Sequence, residues 1–436
     1  MAEIAVLDLL DRYFEVRQRG SSVRTEVVAG ATTFLAMSYV IAVNPAILAD
    51  AGIPPAAAAF ATCLVSGLAT IAMGFFARLP LAVAPGMGLN AFFAYAVVEG
   101  HGLAWQQGLG IVFVAGVAFM VLTLLGVRNA ILRTMPPQLL PAIASGIGMF
   151  LVMVGLKNAG LIRAHDATLV TRGDLTSAPA LLAIVTLLFT TTLVSRGVRA
   201  GVAIGIVGAA LVGIPLGLTG GASQLGGGAF DALFALEIDA ALSVGVLDIV
   251  FAMLFVDMFD SLGTVIGLVK KARLEDSDGR VAGLGRVLGV DATATIVGAL
   301  AGTSTMTTYV ESAAGIQAGG RTGLASVVTG GLFLLAVPVV PFVGLIPPFA
   351  AAAPLIIVGA ATVGLAREIE WDDMDTAVPA LFVMAGMPLM FSIADGLAMG
   401  VVSYSALKIL RGQAGRVSWL VHALAALFVA RFVLLG

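Results

Sequence analysis

Residues 301–320 read AGTSTMTTYVESAAGIQAGG: a stretch apolar enough for lipid that nonetheless gathers Thr303, Ser304, Thr305, Thr307, Thr308 and Ser312 around one acid, Glu311. Inside a membrane every backbone polar group must find a partner within the protein. A hydroxyl-rich stretch of this kind therefore reads as an interrupted crossing that lines a cavity, its hydroxyls replacing lost helix bonds. Glu311 is expected in the first turn of the half-helix that follows. A second interruption stands at residues 79–98, LPLAVAPGMGLNAFFAYAVV, where Pro85, Gly86 and Gly88 remove a donor and loosen the backbone. There the expectation is an extended stretch and then a half-helix beginning near Asn90, with Asn as its cap and the positive dipole end pointing inward.

The remainder of the chain is built for lipid. Of 436 residues, 59% are hydrophobic and 11% charged, against roughly a quarter charged in soluble domains. Runs of about 20 apolar residues can cross the hydrocarbon core. They are expected near 27–49, 56–77, 80–99, 105–126, 138–156, 179–195 and 199–218, and again near 245–269, 283–301, 302–320, 322–343, 350–366, 374–391 and 392–410. Seven crossings per half is odd, so related halves must have inverted topologies, with a binding site at the midplane between broken spans. The predicted fold class is an all-α polytopic membrane protein of 14 transmembrane spans in two inverted seven-span repeats, spans 3 and 10 being broken with short extended segments.

With a cytoplasmic N-terminus, 19 of the 23 Lys and Arg fall on inner segments and Lys157, Arg163 and Arg172 fall outside, as the positive-inside rule requires. An even number of spans and a cytoplasmic C-terminus follow. Residues 4–16 read as a surface amphipathic helix. The tail 418–436 is apolar but carries His422 and Arg431, so an interfacial helix is expected there. The opening residues lack an apolar segment with a cleavage site, so no removable signal peptide is expected. Cys63 is the single cysteine, which excludes an intrachain disulfide.

In residues 244–272, VGVLDIVFAMLFVDMFDSLGTVIGLVKKA, Asp257 and Asp260 lie three apart on one helical face. Each ionised carboxylate at the bilayer centre costs roughly 2.5–3.5 kcal/mol on insertion scales, and the central parts of spans 8 and 10 contain no Lys or Arg. Asp257, Asp260 and Glu311 should therefore face water, hold protons or receive donors from a solute, although Asp260 also fits a brace for broken backbone. Thr33, Phe34 and Tyr39 of the first span, and Phe92 beside Asn90, are further candidates, the rings offering flat stacking surfaces. For any single ring, packing is the commoner role. His101, His165 and His422 fall in loops or the tail, which argues against a histidine proton relay. EDSDG (275–279) lacks the remaining spacing of a calcium loop. With no phosphate-cradling loop, zinc-binding helix motif or nucleophile constellation, neither an enzyme, a metal site nor a nucleic-acid partner is expected.

Five segments together carry a resemblance: RTEVVAGATTFLAMSYVIAVNPAIL (24–48), GMGLNAFFAY (86–95), FVDMFDSLGT (255–264), GTSTMTTYVESAAGIQAGGRTGL (302–324) and MPLMFSIADGLAMG (387–400). The chain resembles the hypoxanthine/guanine/adenine, or azaguanine-like, permease branch of the nucleobase/cation symporter superfamily over nearly its whole length. The resemblance implies a core domain (27–126 and 245–343), a gate domain (127–218 and 350–410) that also forms a homodimer interface, a linker (219–244) between the repeats, and flanking segments 1–26 and 411–436. It implies Asn90, Asp257, Asp260 and Glu311 as polar site residues. It further implies import of a purine nucleobase by an elevator-like slide of core against gate in a bacterial inner membrane, without a cofactor.

Purine N–H groups are complementary to carboxylate acceptors. Glu311 and Asp257 are thus expected to accept from the purine, with Phe92, Thr305, Thr33 and Phe34 around it and Asn90 addressing ring acceptors. Asp257 or Asp260 would carry the coupling proton, with sodium the less favoured ion, because protonation removes the cost of a buried charge. Rival readings are uracil or xanthine specificity, and a same-fold transporter of an inorganic anion such as sulfate or bicarbonate, against which three acids argue. A membrane-embedded enzyme or channel should instead show a catalytic cluster or polar residues along whole spans.

Overall fold

The computed structural model of the chain describes residues 10–125, 139–218, 228–242, 247–272, 274 and 283–434. Among these, eight helices are long and apolar enough to cross a membrane, and a bent pair makes a ninth. In the first half, α1 (Val23–Met37) and α2 (Val40–Asp50) make one crossing that yields at Ser38 and Tyr39, with Pro45 removing a further donor inside α2. Then follow α3 (Pro55–Ala72), β1 (Val83–Pro85), α4 (Met87–Ala91) continued as a π-helix over Phe92–Glu99, α5 (Trp105–Leu124), α6 (Leu139–Asn158), a hairpin of β2 (Ile162–His165) and β3 (Leu169–Arg172), α7 (Ala178–Ser195) and α8 (Gly201–Gly213).

The second half repeats the pattern with α9 (Leu247–Ala272), α10 (Leu284–Ala301), β4 (Met306–Thr308), α11 (Ser312–Gln317), α12 (Gly323–Leu335), α13 (Pro348–Val363), α14 (Met374–Leu389), α15 (Ile393–Leu410) and α16 (Trp419–Leu434). The π-helix, the hairpin and the 59° bend where α12 passes into the 3-10 helix Val337–Leu345 have no counterpart in the spans expected from composition. The expected turn EDSDG and the linker residues 219–227, 243 and 244 lie outside the described residues.

Helices pack in two groups. In one, α12 lies on α1 and α3, and α10 on α3 and α5; in the other, α6 lies on α13 and α14, and α7 on α8 and α13. Each group contains a crossing too close for side chains. A Cβ on Gly323 would strike the Gly74 carbonyl and one on Gly74 the Gly323 carbonyl, while a Cβ on Gly148 would stand 2.7 Å from the Gly359 oxygen. Apolar helices in lipid gain no hydrophobic energy from meeting, so small residues that bring backbones together supply the attraction.

Both end segments pack on the protein. Of residues 4–16, those described include a helical turn at 10–14, and Phe14 and Val16 are buried against Leu324; this segment docks on protein instead of lying free on the surface. The tail forms a helix, α16, that packs on the protein. Ser405 meets His422 Nδ1 at 2.8 Å, and Arg431 pairs with Asp395 at 2.6 Å. These contacts lie about 15 Å apart along α15 and about 14 Å apart along α16, so the two helices run side by side and antiparallel. Val421, Leu424, Ala425 and Phe428 are buried in the main hydrophobic cluster. An ion pair at one end and a hydrogen-bonded imidazole at the other let a helix containing His422 and Arg431 pack along the final span, which returns the chain towards the start of α15.

Candidate functional site

β1 and β4 are the two chain breaks, and they pair with each other. The ladder is antiparallel, with Val83 opposite Thr308, Ala84 opposite Thr307 and Pro85 opposite Met306. It is extended by Gly86 N–H to the Thr305 carbonyl (3.1 Å) and Tyr309 N–H to the Ala82 carbonyl (2.9 Å), while Ser312 Oγ accepts from Ala82 N–H (3.0 Å). Each interruption thus satisfies the other's backbone, which is what unwound chain buried in a membrane protein needs.

Each strand is also clamped by a threonine from the preceding long helix. Thr70 of α3 donates to the Val83 carbonyl and accepts from Val83 N–H, both at 3.0 Å. Thr295 of α10 does the same for the carbonyl and N–H of Met306, both at 3.1 Å. The two clamps are equivalent in the two repeats. Sequence reasoning passed over both threonines, since a hydroxyl in an apolar run ordinarily bonds its own helix.

Glu311 caps α11, at the positive end of its dipole. It is half-buried, and Tyr39, at the yield point of the first crossing, donates its phenolic O–H to Oε1 at 2.7 Å. The neighbouring Val310 is 58% exposed, so the break is accessible on this side. Asp257 is 2% exposed on α9, which packs against both β4 and α11. The carboxylate of Asp260 lies outside the described residues. Thr305 and Thr308 are buried, and among the described residues their hydroxyls find no hydrogen-bond partner.

Asn90 does not cap a half-helix. The helix begins at Met87 with Gly86 as its cap, and Asn90 lies one turn inside. Its side chain is turned sideways into a buried polar network: its amide donates to Asn44, Ser304 donates to its oxygen, and Asn44 donates in turn to Thr62 (2.8 Å) and Thr303 (3.0 Å). This network ties together the first, second, third and tenth expected spans. Asn44 was missed, yet an amide directly before Pro45 in an apolar run is the kind of costly intramembrane polar group that signals a role.

Thr33 is buried where α1 meets α11, since a Cβ on Gly315 would strike its hydroxyl. Phe34 sits edge-to-face on Phe333 at 5.1 Å. Phe92 is buried two residues beyond Asn90 and lines a cavity. Two other acids escaped the sequence reading. Glu26 is fully buried and accepts from the N–H groups of Arg321 (2.9 Å) and Thr322 (3.2 Å) ahead of α12, and Asp291 is fully buried on α10, one turn before Thr295.

Comparison with known proteins agrees with this architecture. Residues 24–395 match the model described as Permease family, Xan_ur_permease. The chain is 40% identical to adenine permease AdeP of Escherichia coli (strain K12), over 98% of this chain and 96% of that one. It is 39% identical to guanine/hypoxanthine permease PbuG of Bacillus subtilis (strain 168), over 97% and 99%. Among solved structures, the transmembrane domain of a cyanobacterium bicarbonate transporter, BicA, superposes with a TM-score of 0.64 at 18% identity, covering 86% of this chain and 97% of that one, and so shares its fold. With broken crossings paired at their centre and matches along nearly its whole length, the chain belongs to the Permease family and is a multi-pass membrane transporter, not an enzyme.

Proposed function

We propose that the protein imports purine nucleobases across a bacterial cytoplasmic membrane in symport with protons. The observation that carries this reading is a carboxylate, Glu311, held by Tyr39 at the accessible edge of the paired breaks, with a second acid, Asp257, buried on the adjoining helix. Two relatives named for adenine and for guanine/hypoxanthine support the choice of solute.

Glu311 and Asp257 accept purine N–H bonds, and the hydroxyl of Thr305 offers a further contact. Phe92 supplies an aromatic surface and Thr33 supports α11 from behind. Asn90 braces the breaks, with one amide hydrogen left for a ring acceptor, because the other goes to Asn44 and its oxygen receives Ser304. Asp257 or Asp260 takes the coupling proton; loading it removes a buried charge and favours the state that moves. The moving part is the core, 27–126 and 245–343, against the gate, 127–218 and 350–410, which also forms the homodimer. The two packing groups and their separate glycine crossings suit this division.

Uptake of labelled hypoxanthine into proteoliposomes, competed by a panel of nucleobases and inorganic anions with and without a protonophore, tests the reading. Purines should compete, anions should not, and the protonophore should abolish accumulation. Glu311→Ala should abolish uptake with protein still in the membrane, and Asp257→Asn should lose accumulation across an imposed pH gradient. Near-normal transport by Glu311→Ala would remove that residue from the site.

A further inference from the structure

A cavity of ≈ 230 Å³ lies at the end of the molecule where the Phe92–Glu99 helix turns into α5, away from the β1–β4 pair. Its lining brings together the rings of Phe92, Tyr95 and Phe391, the Ile249 side chain, and the Asp395–Arg431 ion pair. These pieces come from four parts of the chain, and Arg431 belongs to α16, the helix that returns along the final span.

The walls are held firmly. Tyr95 donates to Asp50 at 2.5 Å, and Lys157 Nζ stands 4.3 Å from the centre of its ring. Phe391 sits edge-to-face with both Tyr95 and Phe150 at 5.3 Å, and does so at φ +53°, a left-handed conformation that a bulky residue adopts only when its surroundings impose it. Ser392 caps α15 through Asp395 N–H at 3.2 Å, which leaves the Asp395 carboxylate to Arg431.

Phe92 is two residues from Asn90, and Ile249 precedes Asp257 by eight residues on α9, about 12 Å along the helix. Aromatic faces with one paired acid and one paired guanidinium suit a flat ring system that both donates and accepts hydrogen bonds.

We propose that this cavity is a vestibule in which a planar, uncharged heteroaromatic solute binds before it reaches Glu311 and Asp257, and that α16 belongs to the transport path because Arg431, positioned by Asp395, forms the vestibule wall. The proposal rests on the nucleobase reading above. It makes Arg431 and Asp395 positioning residues for entry, not for the coupling step.

The test uses the full-length protein in proteoliposomes with labelled hypoxanthine. Arg431→Gln should raise KM about fivefold, the equivalent of one hydrogen bond, at unchanged maximal rate, and exchanging the charges as Arg431→Asp with Asp395→Arg should recover much of that loss. Independently, Ala96→Cys, on the cavity wall, should react with a water-soluble maleimide, and excess hypoxanthine should slow the reaction at least twofold; Cys63 is buried and supplies no background. If the wild-type protein takes up hypoxanthine while neither Ala96→Cys labelling nor the Arg431→Gln KM changes, the vestibule is overturned and the function stands. If wild-type vesicles take up no nucleobase, both fall. Should Arg431→Gln fail to fold, the labelling experiment on an otherwise native chain decides alone.

Discussion

Tyr39 and Glu311 stand 272 positions apart in sequence, and the phenol of one donates to the carboxylate of the other at 2.7 Å. The pair joins the point where the first crossing yields to the point where the tenth resumes its helix. A carboxylate held at a helix start by a phenol has its orientation set before any solute arrives, and preset acceptors bind without the entropy cost of ordering.

Removing the phenol should therefore weaken solute binding while leaving the fold intact. Tyr39→Phe is expected to raise KM for purine uptake about tenfold, within the range for a hydrogen bond to a charged group, with little change in the melting temperature of the purified protein. Uptake kinetics in proteoliposomes measure it, and an unaltered KM would detach Tyr39 from the site.

Asn44 serves four expected spans at once, so its loss should act on stability before anything else. Asn44→Leu leaves the Asn90 amide N–H without its acceptor and the Thr303 hydroxyl without its donor, in a buried setting where each unsatisfied polar group costs about 1–3 kcal/mol. Thermal unfolding in detergent should show a clear fall in Tm. A variant as stable as the parent would mean that water or rearranged neighbours replace the network.

The threonine clamps make a comparative prediction. Thr70→Val and Thr295→Val each remove both partners of one strand residue, Val83 in the first case and Met306 in the second, at nearly equal geometry. Both should reduce transport to a similar extent with comparable losses of stability. A large effect from only one would show that the two breaks carry unequal weight despite their matching architecture.

Glu26→Ala should separate stability from transport. It leaves the N–H groups of Arg321 and Thr322 without their acceptor, at an expected cost of about 1–3 kcal/mol, seen as a lower Tm. The remaining folded protein should keep its KM, because Glu26 contacts neither Glu311 nor the strand pair. A changed KM at unchanged Tm would place Glu26 in the transport path.

Much of this was legible in the residues themselves. Pro85, Gly86 and Gly88 announced one break, and the hydroxyls around Glu311 announced the other, because such residues are expensive in lipid unless the backbone is unwound there. Asp257 and Glu311 stood out for the same reason. Less visible were Asn44, Thr70, Thr295 and Glu26, each a polar residue whose partner is a backbone or side chain far along the sequence. Asn90 shows the limit most clearly: its helix-capping preference suggested a cap, whereas the buried side-chain oxygens of Asn44 and Ser304 drew its side chain into a network instead.

Composition and spacing by themselves determined that the chain lives in lipid and that its backbone is interrupted around Pro85 and ahead of Glu311, since each of these follows from the local cost of placing a residue in hydrocarbon. Only the tertiary structure decided that the two breaks pair with each other, that Tyr39 addresses Glu311, and that the helix bearing Arg431 runs beside the final span to reach Asp395. Those are choices between distant partners. Their free energy lies in hydrogen bonds and close packing across space, and nothing in a residue's own neighbourhood along the chain specifies which remote group will satisfy it.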